Sequence, residues 1–237
     1  MAAIHNKLRG TGVAVVTPFK KDGKIDYDAF GKTIDHIITG KCEYIVVLGT
    51  TGESVTLSKK EKEAVFRFAV DHVNKRVPVV IGIGGNNTAD IQHKLETNWL
   101  VGADAILSVS PYYNKPSQRG IYEHYRAVAE VAPLPVILYN VPGRTGVSMS
   151  PETVARLAKI SNIVAIKEAS GNLDQVDQIL ELCDLTVISG DDSLTLPMIS
   201  IGARGVISVT ANVVPHLVRD LVHRALDGNF EEARQIQ

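Results

Sequence analysis

Two stretches, LPVILYNVPGRTG (134–146) and IVAIKEASGN (163–172), each join an apolar run to a polar, turn-rich tail. Neither run alternates between apolar and polar residues, so both faces of each strand are expected to be covered, as in a parallel sheet sheathed by helices. Working outward, six more runs of this kind appear: VAVV from Val13, YIVVL from Tyr44, VPVVI from Val77, AILSV from Ala105, LTVI from Leu185 and GVISV from Gly205. Successive starts lie 20 to 33 residues apart, the length of a strand followed by a helix. Eight such units in 237 residues suit a closed (β/α)8 barrel, a TIM barrel of the α/β class, more economically than the alternative, an open doubly wound sheet.

Between the runs the periodicity turns helical. Ser58 and Glu61 make a capping box, and Val65, Phe68, Ala69 and Val73 follow on or near one face. Ser150 and Pro151 read as N-cap and first helical residue, since proline has no N–H to lose there, with Val154, Leu157 and Ala158 behind them. Leu173, Val176, Ile179, Leu180 and Cys183 form the next stripe. Leu217, Val218, Leu221, Val222 and Ala225 form the last, which Gly228 can close. The barrel is expected over residues 1–228. Residues 229–237, NFEEARQIQ, read as the opening turns of another helix that stops before burying much.

Composition narrows the functional classes. With 45% hydrophobic and 22% charged residues and a formal net charge of −1, the chain lacks the basic excess that nucleic-acid phosphates demand. No apolar stretch approaches the roughly 20 residues that span a bilayer, and MAAIHNKLRG lacks the apolar centre of a signal peptide. The cytoplasm is the expected compartment, with small molecules as partners and neither nucleic acid nor membrane. Cys42 and Cys183 belong to no C-x-x-C pair and read as buried free thiols. GIGGNN (82–87) puts Asn87 where the dinucleotide fingerprint needs its last glycine. The seven histidines lie mostly in helical segments without paired metal spacing. Asp191 and Asp192 read as turn formers. No metal and no cofactor are expected.

In such a barrel the loops after the strands gather at one face, and the chemistry is expected there. Lys167 ends the apolar run Ile163–Ile166. An ordinary lysine amine is neutral in only about a few molecules in ten thousand at neutral pH, but burial disfavours the ammonium and frees the amine to attack a carbonyl. The bland alternative is a lysine snorkelling to solvent. Its neighbour Glu168 should face the opposite way, so no Lys–Glu pair is implied. Tyr139 ends the adjacent run, where its phenol could exchange protons with a carbinolamine, or simply fill the core. Thr50 could orient that phenol, and backbone N–H groups near Thr51 could hold a carboxylate, although glycine-flanked threonines are common in turns. Arg144 could fork onto a second carboxylate, or be an ordinary exposed loop arginine. Tyr112 and Tyr113, on a proline-bounded loop, could reach a neighbouring site or a subunit contact.

Taken together, GTTGE (49–53), YYNKPSQ from Tyr112, YNVPGRTG (139–146), KEASGN from Lys167, SGDD from Ser189 and GVISVTAN from Gly205 resemble the dihydrodipicolinate synthase family, within the pyruvate-dependent lysine-aldolase barrels, along essentially the whole chain. The resemblance implies a class I, Schiff-base lyase that condenses pyruvate with aspartate semialdehyde to hydroxy-tetrahydrodipicolinate, on the route to diaminopimelate and lysine. It implies Lys167 as the imine-forming lysine, Tyr139 as proton donor and acceptor, and Thr50 and Tyr113 as its relay partners, with Tyr113 supplied by an adjacent subunit of a homotetramer or dimer. Thr51 matches the pyruvate carboxylate site, Gly190 and Ile207 flank the imine, and Arg144 grips the carboxylate of the aldehyde. Two alternatives stay open: a neuraminate or keto-deoxy sugar acid lyase, for which Arg144 would be an unexpected grip, and a non-catalytic pyruvate-binding barrel. The resemblance also implies a C-terminal helical region of which only residues 229–237 are present. Lysine-inhibited members use positions like Ser54, Asn86 and Asp90 together with histidines where this chain has Lys59 and Lys62, so weak lysine feedback is expected.

Overall fold

A computed structural model describes residues 7–237. Its eight strands are β1 (Gly10–Ala14), β2 (Tyr44–Val47), β3 (Val79–Gly82), β4 (Ala105–Val109), β5 (Val136–Asn140), β6 (Ile163–Glu168), β7 (Thr186–Ser189) and β8 (Gly205–Ser208). They run parallel in chain order, and β8 pairs back onto β1, closing the barrel and excluding the open sheet. Each strand is followed by a helix: α1 (Tyr27–Thr39), α2 (Lys59–Val73), α3 (Thr88–Leu95), α4 (Gln118–Val131), α5 (Pro151–Leu157), α6 (Leu173–Leu182), α7 (Thr195–Ser200) and α8 (Pro215–Leu226). A last helix, α9 (Phe230–Ile236), lies beyond them.

The unbroken apolar runs have a simple geometric cause. Along β2, Tyr44 and Val46 join an interior cluster with Leu107, Ile137 and Ile207. Ile45 and Val47 instead pack outward against Phe30 and Ile34 of α1 and Val65 and Ala69 of α2. Both faces are dry, so both are apolar. The first run shifts most: β1 begins at Gly10, three residues before Val13. Its glycines follow from neighbours rather than from strand propensity, because a Cβ on Gly12 would sit 2.1 Å from the Tyr44 ring.

The helix starts follow their caps. Ser58 Oγ accepts the Glu61 N–H at 3.3 Å while Glu61 accepts the Ser58 N–H at 2.8 Å, and Ser150 Oγ accepts from Thr153 N at 3.3 Å. On α2 the fully buried aromatic is Phe66; Phe68 is half-buried and stacks on Phe30 and His72. On α6 only Val176 and Ile179 are fully buried. On α8, Leu221, Val222 and Ala225 are buried whereas Leu217 is exposed. Gly228, with φ +83°, follows α8 as anticipated. The tail is better seated than the sequence implies. Ala233 is fully buried, Arg224 of α8 pairs with Glu232, and Gln237 Nε2 donates to the Asp192 carbonyl at 3.2 Å. One helical histidine, His124, is buried, with Nδ1 2.8 Å from Thr88 Oγ1. No helix among the described residues is long and apolar enough to cross a membrane.

Candidate active site

The carboxyl ends of β5 and β6 lie side by side, in a register that makes Tyr139 the partner of Lys167. Partners in adjacent strands point to the same face, and both face the barrel interior: Lys167 is 4% exposed and Tyr139 6%. The lysine amine lies 4.5 Å from the centroid of the Tyr139 ring. Burial pushes the Lys167 amine down to about 8; the Asp192 carboxylate opposes this and the Arg144 guanidinium adds to it. At pH 7 roughly a tenth of such amines are neutral, against a few in ten thousand for an ordinary lysine. Burial raises the Tyr139 phenol, while a hydrogen bond with the Thr50 side chain and the charge of Arg144 pull it down.

The loop after β2 supplies the next feature. Leu48 and Glu53 adopt left-handed backbone, φ +60° and +53°, bracketing Gly49–Gly52, and strain of this kind concentrates at functional sites. Thr17 Oγ1 donates to the Gly52 carbonyl at 2.7 Å and so pins the turn to the loop after β1. Thr50 and Thr51 have N–H groups without a hydrogen-bond partner among the described residues, an arrangement suited to an anion. Thr50, Tyr139, Arg144, Tyr112 and Val141 line one cavity of about 470 Å³, which runs outward past Lys59, Lys62 and Lys94. Lys167 does not line it; the phenol that does is the one packed on its amine.

Arg144 sits in a single helical turn, Pro142–Thr145, at the cavity edge, and makes no ion pair among the described residues. Gly190 follows β7, and its lack of a side chain is required: a Cβ there would come within 2.9 Å of Lys167 Cε. Ile207 is fully buried in the interior cluster that includes Tyr139. The fold therefore gathers Lys167, Tyr139, Thr50, Thr51, Arg144, Gly190 and Ile207 at the strand ends. Tyr113 stands apart: it is 90% exposed, has φ +73° and does not line the cavity.

Asp192 is the residue that sequence reasoning undervalued. It is more than a turn former: Oδ2 accepts from Val209 N, Thr210 N and Thr210 Oγ1, each at 3.0 Å, tying the loop after β7 to the loop after β8. Its charge is also the influence that favours the Lys167 ammonium. Its place three residues past the end of β7, at the same face as Lys167, was the available signal. Leu48 left none, because its left-handed backbone follows from tertiary closure. Among the described residues no three His, Cys, Asp or Glu side chains are grouped to hold a metal ion.

The Dihydrodipicolinate synthetase family model matches residues 7–237. The chain belongs to this family. Among curated members, the 4-hydroxy-tetrahydrodipicolinate synthase of Parabacteroides distasonis is 50% identical over 232 residues, covering 97% of this chain and 78% of the relative. The solved dihydrodipicolinate synthase of Aquifex aeolicus superposes with a TM-score of 0.93 at 46% identity, covering 97% of this chain and 79% of that one. A structure described as the first monomeric dihydrodipicolinate synthase variant superposes at 0.94 with 38% identity, covering 98% and 79%. As a member of the dihydrodipicolinate synthetase family, the chain carries its buried lysine and tyrosine on a barrel shared with these relatives.

Proposed function

We propose that this chain is a 4-hydroxy-tetrahydrodipicolinate synthase, a class I lyase that condenses pyruvate with aspartate semialdehyde through an imine on Lys167. The observation that carries the reading is the buried Lys167 amine, lowered to about 8 and packed on the Tyr139 ring. A neutral amine adds to the ketone carbon of pyruvate. The carbinolamine then loses its hydroxyl as water, with the Tyr139 phenol returning and taking protons, and leaves the imine. Loss of a proton from the former methyl group gives an enamine, whose carbon bonds to the aldehyde carbon while the aldehyde oxygen takes up a proton. The amino group of the second substrate displaces Lys167 from the imine carbon, closing the ring and freeing the enzyme. Lysine supplies the electron sink, so the cycle needs no other cofactor.

In this reading Thr50 orients the phenol, the N–H groups of Thr50 and Thr51 hold the pyruvate carboxylate, Gly190 and Ile207 shape the imine pocket, and Arg144 takes the aldehyde's carboxylate. Tyr113 completes the proton relay from a neighbouring copy, which its 90% exposure supports. A homodimer or homotetramer follows, in contrast to the monomeric variant among the relatives. We assign residues 1–228 to the catalytic barrel, of which residues 1–6 lie outside the described residues, residues 229–237 to a C-terminal helical region, and the enzyme to the cytoplasm. Assaying condensation beside cleavage of neuraminate and keto-deoxy sugar acids tests the reading. Condensation alone is expected; cleavage of a sugar acid without condensation would replace it with a lyase, and binding of pyruvate without turnover would leave a binding barrel.

A further inference from the structure

Directly behind Tyr139 and Lys167, on the outer face of the same two strands, lies a second pair. Asn140 and Glu168 are the next partners in the β5–β6 register and are 0% and 1% exposed. The Asn140 amide nitrogen donates to both Glu168 carboxylate oxygens, at 2.9 and 3.2 Å. Its amide oxygen accepts the Met149 N–H at 3.0 Å, so the amide cannot turn over without losing that bond. Glu168 also accepts from Ser170 N at 2.7 Å and Gln175 Nε2 at 3.2 Å. Every group around the carboxylate donates, which fixes the polarity of the whole network. A buried carboxylate between a sheet and a helix is costly, and apolar residues of similar volume often serve stability as well or better. Stability alone therefore does not account for this pair.

The ladder beside it shows what the pair could decide. Val136 pairs with Ile163, but Ile137 pairs with Ala165, so Val164 is an extra residue in β6. Without that irregularity, Tyr139 would face Ile166, and Lys167 would turn to the outer face. Both strands are apolar before their last two residues, so packing of these runs discriminates weakly between the two registers. In the observed register the only buried carboxylate on β6 meets the only carboxamide on β5.

We propose that the Asn140–Glu168 pair is a register lock: a pair of positioning residues that holds β5 against β6 so that Tyr139 and Lys167 stand opposite each other inside the barrel. Buried polar pairs are best attested in such register-setting roles. The same lock reaches the Arg144 loop, because Asn140 also donates to Ser148 Oγ at 3.1 Å and holds Met149. Its catalytic consequence rests on the Lys167 reading given under Proposed function; its structural consequence does not.

The test compares Asn140→Asp, Glu168→Gln and the double exchange N140D/E168Q in the full chain. Asn140→Asp sets two carboxylates face to face and Glu168→Gln sets two carboxamides face to face, whereas the double change pairs a carboxylate on β5 with a carboxamide on β6 once the Gln175 amide turns over to present its oxygen to the new N–H. Two readouts are taken: kcat for condensation, and the pH dependence of trinitrobenzenesulfonate labelling at Lys167, followed by peptide mass spectrometry without any substrate. The single variants are expected to lose at least tenfold in kcat, in line with the roughly hundredfold cost of a 1 Å misplacement, and to shift the labelling midpoint from about 8 toward that of an ordinary lysine. The double variant is expected to return to within about threefold of wild type with its midpoint restored, a recovery that coupled pairs show and independent sites do not. Folded single variants with wild-type labelling and kcat overturn the proposal. So does a double variant that fails to fold or labels no better than the single ones. Should a single variant not fold, the double variant decides alone. A wild-type chain without turnover would count against the condensation reading, while the labelling comparison would still decide the lock.

Discussion

Replacing Lys167 by methionine removes the amine but keeps an unbranched side chain in the barrel. A fall from an ordinary 10.5 to about 8 means that folding disfavours the ammonium by about 3 kcal/mol, at about 1.4 kcal/mol for each tenfold change in proton affinity. The sign follows from proton counts. Between pH 8 and 10.5 the unfolded lysine holds a proton that the folded one has released, so stability rises with pH across that window; below it both states are protonated and the full penalty stands. Lys167→Met is therefore expected to be inactive and, at pH 7, more stable by about 3 kcal/mol. With an unfolding entropy near 2.1 cal/mol/K per residue, that is a rise in Tm of about 6 °C. The advantage should shrink to about 1 kcal/mol by pH 9.5 as the wild-type amine sheds its proton. Thermal and urea unfolding at the two pH values measure it. A folded variant with unchanged or lower stability at pH 7, or an advantage independent of pH, would refute the claim that the folded barrel holds this amine at an energetic cost.

Three further outcomes are expected. Arg144→Ala should lower kcat/KM for aspartate semialdehyde by about ten- to a hundredfold, the cost of a lost charge-assisted hydrogen bond, while pyruvate imine formation survives; equal loss of both steps would remove the assignment. Gly190→Ala should slow imine trapping by about tenfold, because the new Cβ would meet Ala169 Cβ at 2.8 Å and Lys167 Cε at 2.9 Å, and an unchanged trapping rate would show that the lysine stem has room to spare. Free lysine at about 1 mM should leave the condensation rate within about twofold, since Lys59, Lys62 and Lys94 line the outer cavity and the Lys62 amine is already lowered by burial and by the charge of Lys94. Strong inhibition at micromolar lysine would reverse that expectation.

Much of this architecture is legible in the residues because parallel barrels write their strands as unbroken apolar runs. The run Ala105–Val109 matches its strand at both ends, and the run Tyr44–Leu48 overruns its strand by one residue, since these segments are buried on both faces. The first strand was less legible: Gly10 is dictated by the Glu43 carboxylate and its own φ of +102°, and Gly12 by the Tyr44 ring, neighbours that no local pattern reveals. The site was readable in the same way, as polar residues ending apolar runs, which is how Lys167 and Tyr139 stand out. What no run could disclose was the pairing between runs. The extra residue at Val164 and the Asn140–Glu168 contact depend on which strand end meets which, as does the role of Asp192, whose partners Val209 and Thr210 come from the next loop. Phe66 was hidden for a related reason: Val65, Ala69 and Val73 are buried as their spacing favours, and only the packing around the helix decides that Phe66 rather than Phe68 is buried beside them.

The central claim is that Lys167 forms an imine with pyruvate, and borohydride reduction in the presence of pyruvate, followed by peptide mass spectrometry, tests it most directly. The expected result is a single reduced adduct on the peptide containing Lys167, absent from Lys167→Met and forming faster as the pH is raised toward about 8. No adduct in a folded sample, or an adduct on another lysine with Lys167 unmodified, would contradict it.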